Sequence, residues 1–279
     1  MYPEIMVIPM REELTRAGIG EARTAADVDA AMGTSHPFFP ATVAAPVRVL
    51  CLENTHNIGG GSIWPLEAIQ AVAAAGRRHK LALHLDGARL WHATAATGVS
   101  EADYALPFDT ISVCFSKALG APVGSCLLGT KDFVARARRF KQQFGGGFRQ
   151  AGIIAAGALY AVQNHRTRLR DTHALASRFA QGLAQIDGVE IDPTTVETNI
   201  VRYRLTKVAA GRFVDEAHRR GLWMLPSGPD AVRAVFYLDI VPSDVDDALK
   251  IIADALRSLP QQDGSMSQKS LGAESGANY

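Results

Sequence analysis

The stretch ISVCFSKALGAPVGS, Ile111–Ser125, decides how the rest of the chain is read. An apolar run ends in Ser116–Lys117, and a Gly/Pro-rich turn follows before the next apolar run begins. A lysine at the carboxyl end of a buried strand is desolvated, which lowers its pKa and leaves a neutral amine able to form a Schiff base. Taken alone, most strand-end lysines are simply solvated charges.

Outward from this stretch, short apolar runs alternate with longer periodic ones. Strands are expected at Ile5–Pro9, Val47–Leu52, Leu81–Leu85, Thr110–Phe115 and Gly124–Gly129, with helices over Pro65–His79 and Lys131–Phe144. Runs of Val, Ile and Leu alternating with helices predict an α/β fold, its sheet covered on both sides. From Gln150 to Ile186 the chain reads as helix with one break near Asn164–His165. Beyond it, strands Ile200–Leu205 and Val232–Leu238 alternate with helices Gly211–Arg220 and Ser243–Ser258, a small α+β unit. The expected division is a large domain over residues 1–180, a small one over 181–260, and a Ser/Gly/Gln-rich disordered tail over 261–279.

Three further stretches carry candidate chemistry. In LALHLDGARLW, Leu81–Trp91, a buried strand ends at Asp86 with Arg89 three residues on. A carboxylate there suits a ring nitrogen that must stay protonated, and the arginine suits a phenolate or carboxylate. An N-cap aspartate and a surface arginine is the plainer alternative. GGGFRQ, Gly145–Gln150, joins two helices; its glycines let backbone approach a ligand, and Arg149 suits a phosphate or carboxylate, although an interhelical turn looks similar. CLENTHNIGGG, Cys51–Gly61, opens a polar loop at the ligand-facing edge of the sheet. His56 there is a candidate to stack on a ring or shuttle a proton, or else a structural hydrogen-bonder; Glu53 and Asn54 are read as tying the loop down.

Composition narrows the rest. With 47% hydrophobic and 20% charged residues over 279, the chain can bury a sizeable core. A net charge of +1 gives no electrostatic case for nucleic acid or an anionic membrane. Cys51, Cys114 and Cys126 lie in apolar runs without disulfide or zinc spacing, so no metal is expected and buried free thiols in a reducing cytoplasm are. The opening MYPEIMVIPMREEL lacks a signal-peptide core, and no run reaches the roughly 18 apolar residues of a membrane span.

LENTHN, HLDGAR, SVCFSKALGAPVGS and GGGFRQAG, in that order and spacing, resemble the low-specificity threonine aldolases, of the β-eliminating lyase group of fold-type-I pyridoxal-phosphate enzymes. The resemblance runs from about residue 47 to 258. It implies an aspartate-aminotransferase-like large domain with a mostly parallel sheet, incomplete at its N-terminus, and a small C-terminal α+β domain. It implies pyridoxal 5′-phosphate as cofactor, a small amino-acid substrate, and a homodimer or homotetramer. Lys117 would hold the cofactor aldehyde, Asp86 would pair with the ring nitrogen, and Arg89 would lie near the ring oxygen or substrate. Arg149 would stand at the subunit interface near the cofactor phosphate or the substrate, and Arg233, in VRAVFYLD, would grip the substrate α-carboxylate. His36, in SHPFFPAT, sits roughly where the family has a histidine handling the substrate hydroxyl.

The chain also departs from the family pattern. Nothing in Met1–Gly33 replaces the small-residue phosphate loop that family members carry earlier, so the chain is expected to be N-terminally truncated. Gln142 stands where a lysine is frequent, and Phe236–Tyr237 replaces a Thr-His pair. Each lost backbone donor to a phosphate removes on the order of 1.5–3 kcal/mol. The expected function is aldol cleavage of threonine or allo-threonine to glycine and an aldehyde. An inactive fragment, or a β-eliminating lyase using the same apparatus, is the alternative.

Overall fold

The computed structural model describes residues 24–33 and 47–260; His36, the Ile5–Pro9 strand and the 261–279 segment lie outside the described residues. The first part runs α1 (Ala25–Gly33), β1 (Val49–Glu53), α2 (Leu66–Arg78), β2 (Ala82–Gly87), α3 (Leu90–Thr97), α4 (Glu101–Ala105), β3 (Thr110–Cys114), β4 (Ser125–Leu128), α5 (Lys131–Gln143) and α6 (Gly152–Asn164). A 3-10 turn at Arg166–Arg168 leads into α7 (Leu169–Leu183), followed by β5 (Val189–Glu190), β6 (Ile200–Leu205), α8 (Ala210–Arg219), β7 (Leu225–Pro226), β8 (Ala231–Val235) and α9 (Pro242–Ser258).

β1, β2 and β3 are parallel, and β4 closes the edge antiparallel to β3. Alternation along each strand divides the residues between two faces. One face carries Leu50, Leu52, Leu83 and Leu85, all buried with Ile69, Val72 and Ala73 of α2. Those helix positions recur at the spacing of one helical stripe. Gly76 lets α2 lie directly on the sheet, because a Cβ there would come within 2.9 Å of the Leu50 and Leu83 methyls. The other face carries Cys51, Glu53, His84, Asp86 and Ser112, all only half-buried.

The expectation of a sheet covered on both sides is therefore not met among the described residues. β4 is exposed along its whole length, and α5 buries none of its residues. The thiols follow suit: Cys51 and Cys114 are half-buried and Cys126 is exposed, none of them sealed in a core.

The second sheet is antiparallel throughout, in the order β5-β6-β8-β7. Its buried side packs Val201, Tyr203 and Val232 against Phe179, Phe213 and Ile252 from α7, α8 and α9. α7 serves two clusters: Leu169 packs with Trp91 and Leu119, while Ala176, Phe179 and Leu183 belong to the core of the second sheet. The helix break falls where expected, α6 ending at Asn164.

Candidate active site at the strand ends

Three parallel strands deliver their carboxyl ends to one edge, where backbone turns away and ligands are accommodated in α/β sheets. Register places Glu53 beside Asp86, and Asp86 beside Ser112, with Lys117 following β3 by three residues. Asp86 Oδ1 accepts the Ala88 N–H at 3.0 Å, a local turn that ends the strand. Arg89, rather than Asp86, occupies the N-cap of α3 and contributes no side-chain cap.

The loop after β1 is pinned by the second sheet. Thr198 Oγ1 donates to the Gly61 carbonyl at 2.6 Å, and Glu197 accepts the Ile63 N–H at 2.8 Å. Arg202 reaches the Ile58 carbonyl at 3.3 Å. Gly61 has φ +74°, and a Cβ on it would meet Thr198 Oγ1 at 2.4 Å, so glycine alone fits this crossing. Arg233, on β8, donates to Asn57 Oδ1 at 2.9 Å and is thereby drawn to the edge of the first sheet.

The charges gathered there act on one another. Burial pushes the Glu53 carboxyl up and the Asn57 N–H lowers it; Asp86 pushes it up again, while Arg89 and Lys117 pull it down. Burial lowers Arg89, as does repulsion from Arg233; Glu53, Tyr237 and Cys114 act in the opposite sense. Burial also pushes the Cys51 thiol up, with Asp86 adding to it. Lys117, Asp86, Arg89 and Arg233 thus share one electrostatic neighbourhood with Glu53 among them.

The expected placement of Lys117 differs. Lys117 is exposed rather than held dry, because the polar face and β4 beside it lie open among the described residues. Arg149 is exposed on the turn after α5. His56 is only 8% exposed and is bound into its own loop: the Gly59 N–H donates to Nδ1 at 3.0 Å, and Nε2 faces Glu53 Oε2 at 3.6 Å. A ring so enclosed holds the loop together and is not presented as a stacking surface. Glu53, Asn57, Cys114 and Tyr237 are the cluster members that sequence reasoning missed as chemistry. Only strand register reveals Glu53, and only the β8–loop contact reveals Asn57.

The donor set fits the ring end of a pyridoxal-type cofactor: an amine, a carboxylate and two guanidiniums converge at the strand ends. Asn54, next to Glu53, adds a buried Nδ2 donor with no hydrogen-bond partner, while its Oδ1 accepts the Trp64 N–H at 3.2 Å. An unmet buried donor costs about 1–3 kcal/mol. Among the described residues no His, Cys, Asp and Glu group is arranged to hold a metal ion, and no helix is long and apolar enough to cross a membrane.

Comparison with known proteins gives relatives by sequence and a likeness of fold. The low-specificity L-threonine aldolase 1 of Arabidopsis thaliana is 33% identical over 227 residues, 80% of this chain and 62% of that protein. The low specificity L-threonine aldolase of Escherichia coli K12 is 35% identical over 196 residues, 70% of this chain and 56% of that protein. The chain thus spans little more than half the length of these relatives. A Leishmania major threonine aldolase structure superposes with a TM-score of 0.62 at 17% identity, over 84% of this chain and 67% of that one, a likeness of fold. The beta-eliminating lyase family model matches residues 24–206, and the chain belongs to that family.

Proposed function

We propose that this polypeptide carries the lysine side of a pyridoxal-phosphate-dependent carbon–carbon lyase that cleaves a β-hydroxy-α-amino acid, threonine or allo-threonine, to glycine and an aldehyde. The observation that carries the reading is the convergence of Lys117, Asp86, Arg89 and Arg233 at the carboxyl ends of parallel strands. The names of the matched relatives support the substrate class.

In this reading Lys117 Nζ is the amine that captures the cofactor, and Asp86 holds a proton on the ring nitrogen. When bound, pyridoxal phosphate supplies an aldehyde and an electron-withdrawing ring. Arg233, steadied by Asn57, binds the substrate α-carboxylate as a charge-assisted pair, and Arg89 holds the ring oxygen or the same carboxylate. Two guanidiniums that repel one another in the free protein are relieved by one shared anion. The same arrangement suits β-elimination, and substrate competition separates the two chemistries. By the family pattern Arg149 would serve at a subunit boundary near the phosphate or substrate, and His36 would serve near the substrate hydroxyl. The exposed apolar side chains of β4, α5 and α6, with Phe144 85% and Ile153 82% exposed, support a homodimer or homotetramer. Free thiols support a cytoplasmic setting.

The exposure of Lys117 favours a second reading, in which the chain folds without retaining the cofactor. Adding pyridoxal phosphate to the purified protein decides between them. A visible absorbance band that borohydride abolishes, and that Lys117→Ala lacks, supports the lyase. A folded chain that shows no band supports the second reading.

A further inference from the structure

We infer that Glu53 is the proton-transfer residue of this site and that His56 acts through it as a positioning residue. The inference rests on the lyase reading and deepens it.

Glu53 closes β1 directly beside Asp86, on the same face of the sheet. Parallel neighbours lie about 4.8 Å apart, so the two carboxyl groups occupy one patch. Two carboxyl groups so close do not share the same protonation state easily, and the environment of each assigns its role. Asp86 is turned onto the Ala88 N–H. Glu53 Oε1 accepts the Asn57 N–H at 3.2 Å, leaving Oε2 for the His56 side. The groups facing Glu53 are Asp86 from β2, Arg89 from the start of α3, Lys117 from the segment after β3, and His56 and Asn57 from its own loop. Burial and Asp86 favour its neutral form, while Arg89 and Lys117 favour the anion. Burial is the largest of these influences, and the net effect moves the carboxyl above the ordinary glutamate range, toward that of a general base.

The His56 tautomer follows from a backbone contact. Because the Gly59 N–H donates to Nδ1, that nitrogen carries the lone pair, and neutral His56 bears its hydrogen on Nε2. Nε2 is the atom that faces Glu53 Oε2. The ring is thereby turned to donate toward the carboxylate, as the orienting member of a nucleophile–base pair does.

The chemistry balances with this single group. The Glu53 carboxylate takes the β-hydroxyl proton as the C–O bond becomes a carbonyl and the Cα–Cβ bond breaks. The electron pair of the broken bond remains on Cα, and Glu53 returns the same proton there. Glycine and aldehyde leave, and no further reactant is consumed.

Two measurements test the inference. Carboxyl-carbon NMR titration of the cofactor-free chain is expected to show one glutamate titrating above the ordinary range. It is absent in Glu53→Gln, moves down in Asp86→Asn and moves up in His56→Asn. With pyridoxal phosphate added, Glu53→Gln is expected to keep the borohydride-sensitive band yet turn threonine over about 100-fold more slowly, and Glu53→Asp to recover part of the rate. A Glu53 that titrates at or below the ordinary glutamate value overturns the inference, and so does wild-type turnover in Glu53→Gln. A wild-type chain without the band defeats the lyase reading and the role of Glu53 with it, whereas a band with unchanged turnover in Glu53→Gln defeats the role of Glu53 alone.

Discussion

Two consecutive helices meet opposite fates. α6, GIIAAGALYAVQN, is apolar almost all round, yet only Ala158 and Ala161 are buried. α7, LRDTHALASRFAQGL, is far more polar, yet it buries Leu169, Thr172, Ala176, Phe179, Ala180 and Leu183. The difference lies in partners. The α7 stripe recurs at three- and four-residue steps and is met by β6 and α9, whereas α6 joins a core through Ala158 and Ala161, which cluster with Trp91, Leu119 and Ala121, and its Gly157 lies against Pro122. Apolarity creates a demand for burial; a facing surface of matching period meets it.

The sharpest way to break this contrast is to cut into the α7 side. Phe179 packs edge-on against Phe236 at 5.4 Å between centroids. Phe179→Ala is expected to lower unfolding free energy by about 3–5 kcal/mol, read from urea midpoints at unchanged slope.

A second lever is pH. His92 of α3 and His173 of α7 share a 2.8 Å hydrogen bond. Burial drives His92 down to about 3, and burial likewise drives His173 down to about 4. Both folded values are depressed, so the unfolded chain binds protons that the folded chain refuses. The contribution is complete above the ordinary histidine value and is lost as pH falls from there toward the folded values. For His92 the loss between pH 7 and pH 5 is about 2 kcal/mol, and His92→Asn is expected to flatten that dependence.

Smaller effects lie at the junction. Thr198→Val removes the buried bond to Gly61 and is expected to cost about 1 kcal/mol, with faster amide exchange confined to residues 54–63. Smallest of all, Ile153→Ser on α6 is expected to stay within about 0.5 kcal/mol while reducing any self-association measured by sedimentation. If it costs as much as Phe179→Ala, the contrast between the helices is wrong.

Much of this was legible in the residues themselves. The stripe Ile69, Val72, Ala73 announced α2, and the apolar runs ending at Asp86 and before Lys117 announced two strands whose ends carry chemistry. The helix break at Asn164 and His165 was legible too. α3 was not, because LWHATAAT begins after Arg89, which gives its first turn no side-chain cap. β8 stops at Val235 rather than Leu238, since Phe236 donates its N–H to Asn199 and Asn199 Nδ2 returns to the Phe236 carbonyl. Glu53 was passed over as a loop anchor because its meaning comes from the strand beside it, and register is not written in a single run of residues. The solvent exposure of Lys117 is likewise a property of what surrounds it.

The clamp of Thr198 and Glu197 on the glycine loop has a mechanical consequence. Asn57 is tied to the second sheet through Arg233 and to the first through Glu53, which is itself fixed in a hydrogen-bonded ladder. A small rotation of one sheet against the other therefore lengthens or shortens the 3.6 Å gap between imidazole and carboxylate. The arm that seizes a carboxylate is, by the same linkage, the arm that sets how firmly the neighbouring acid is held.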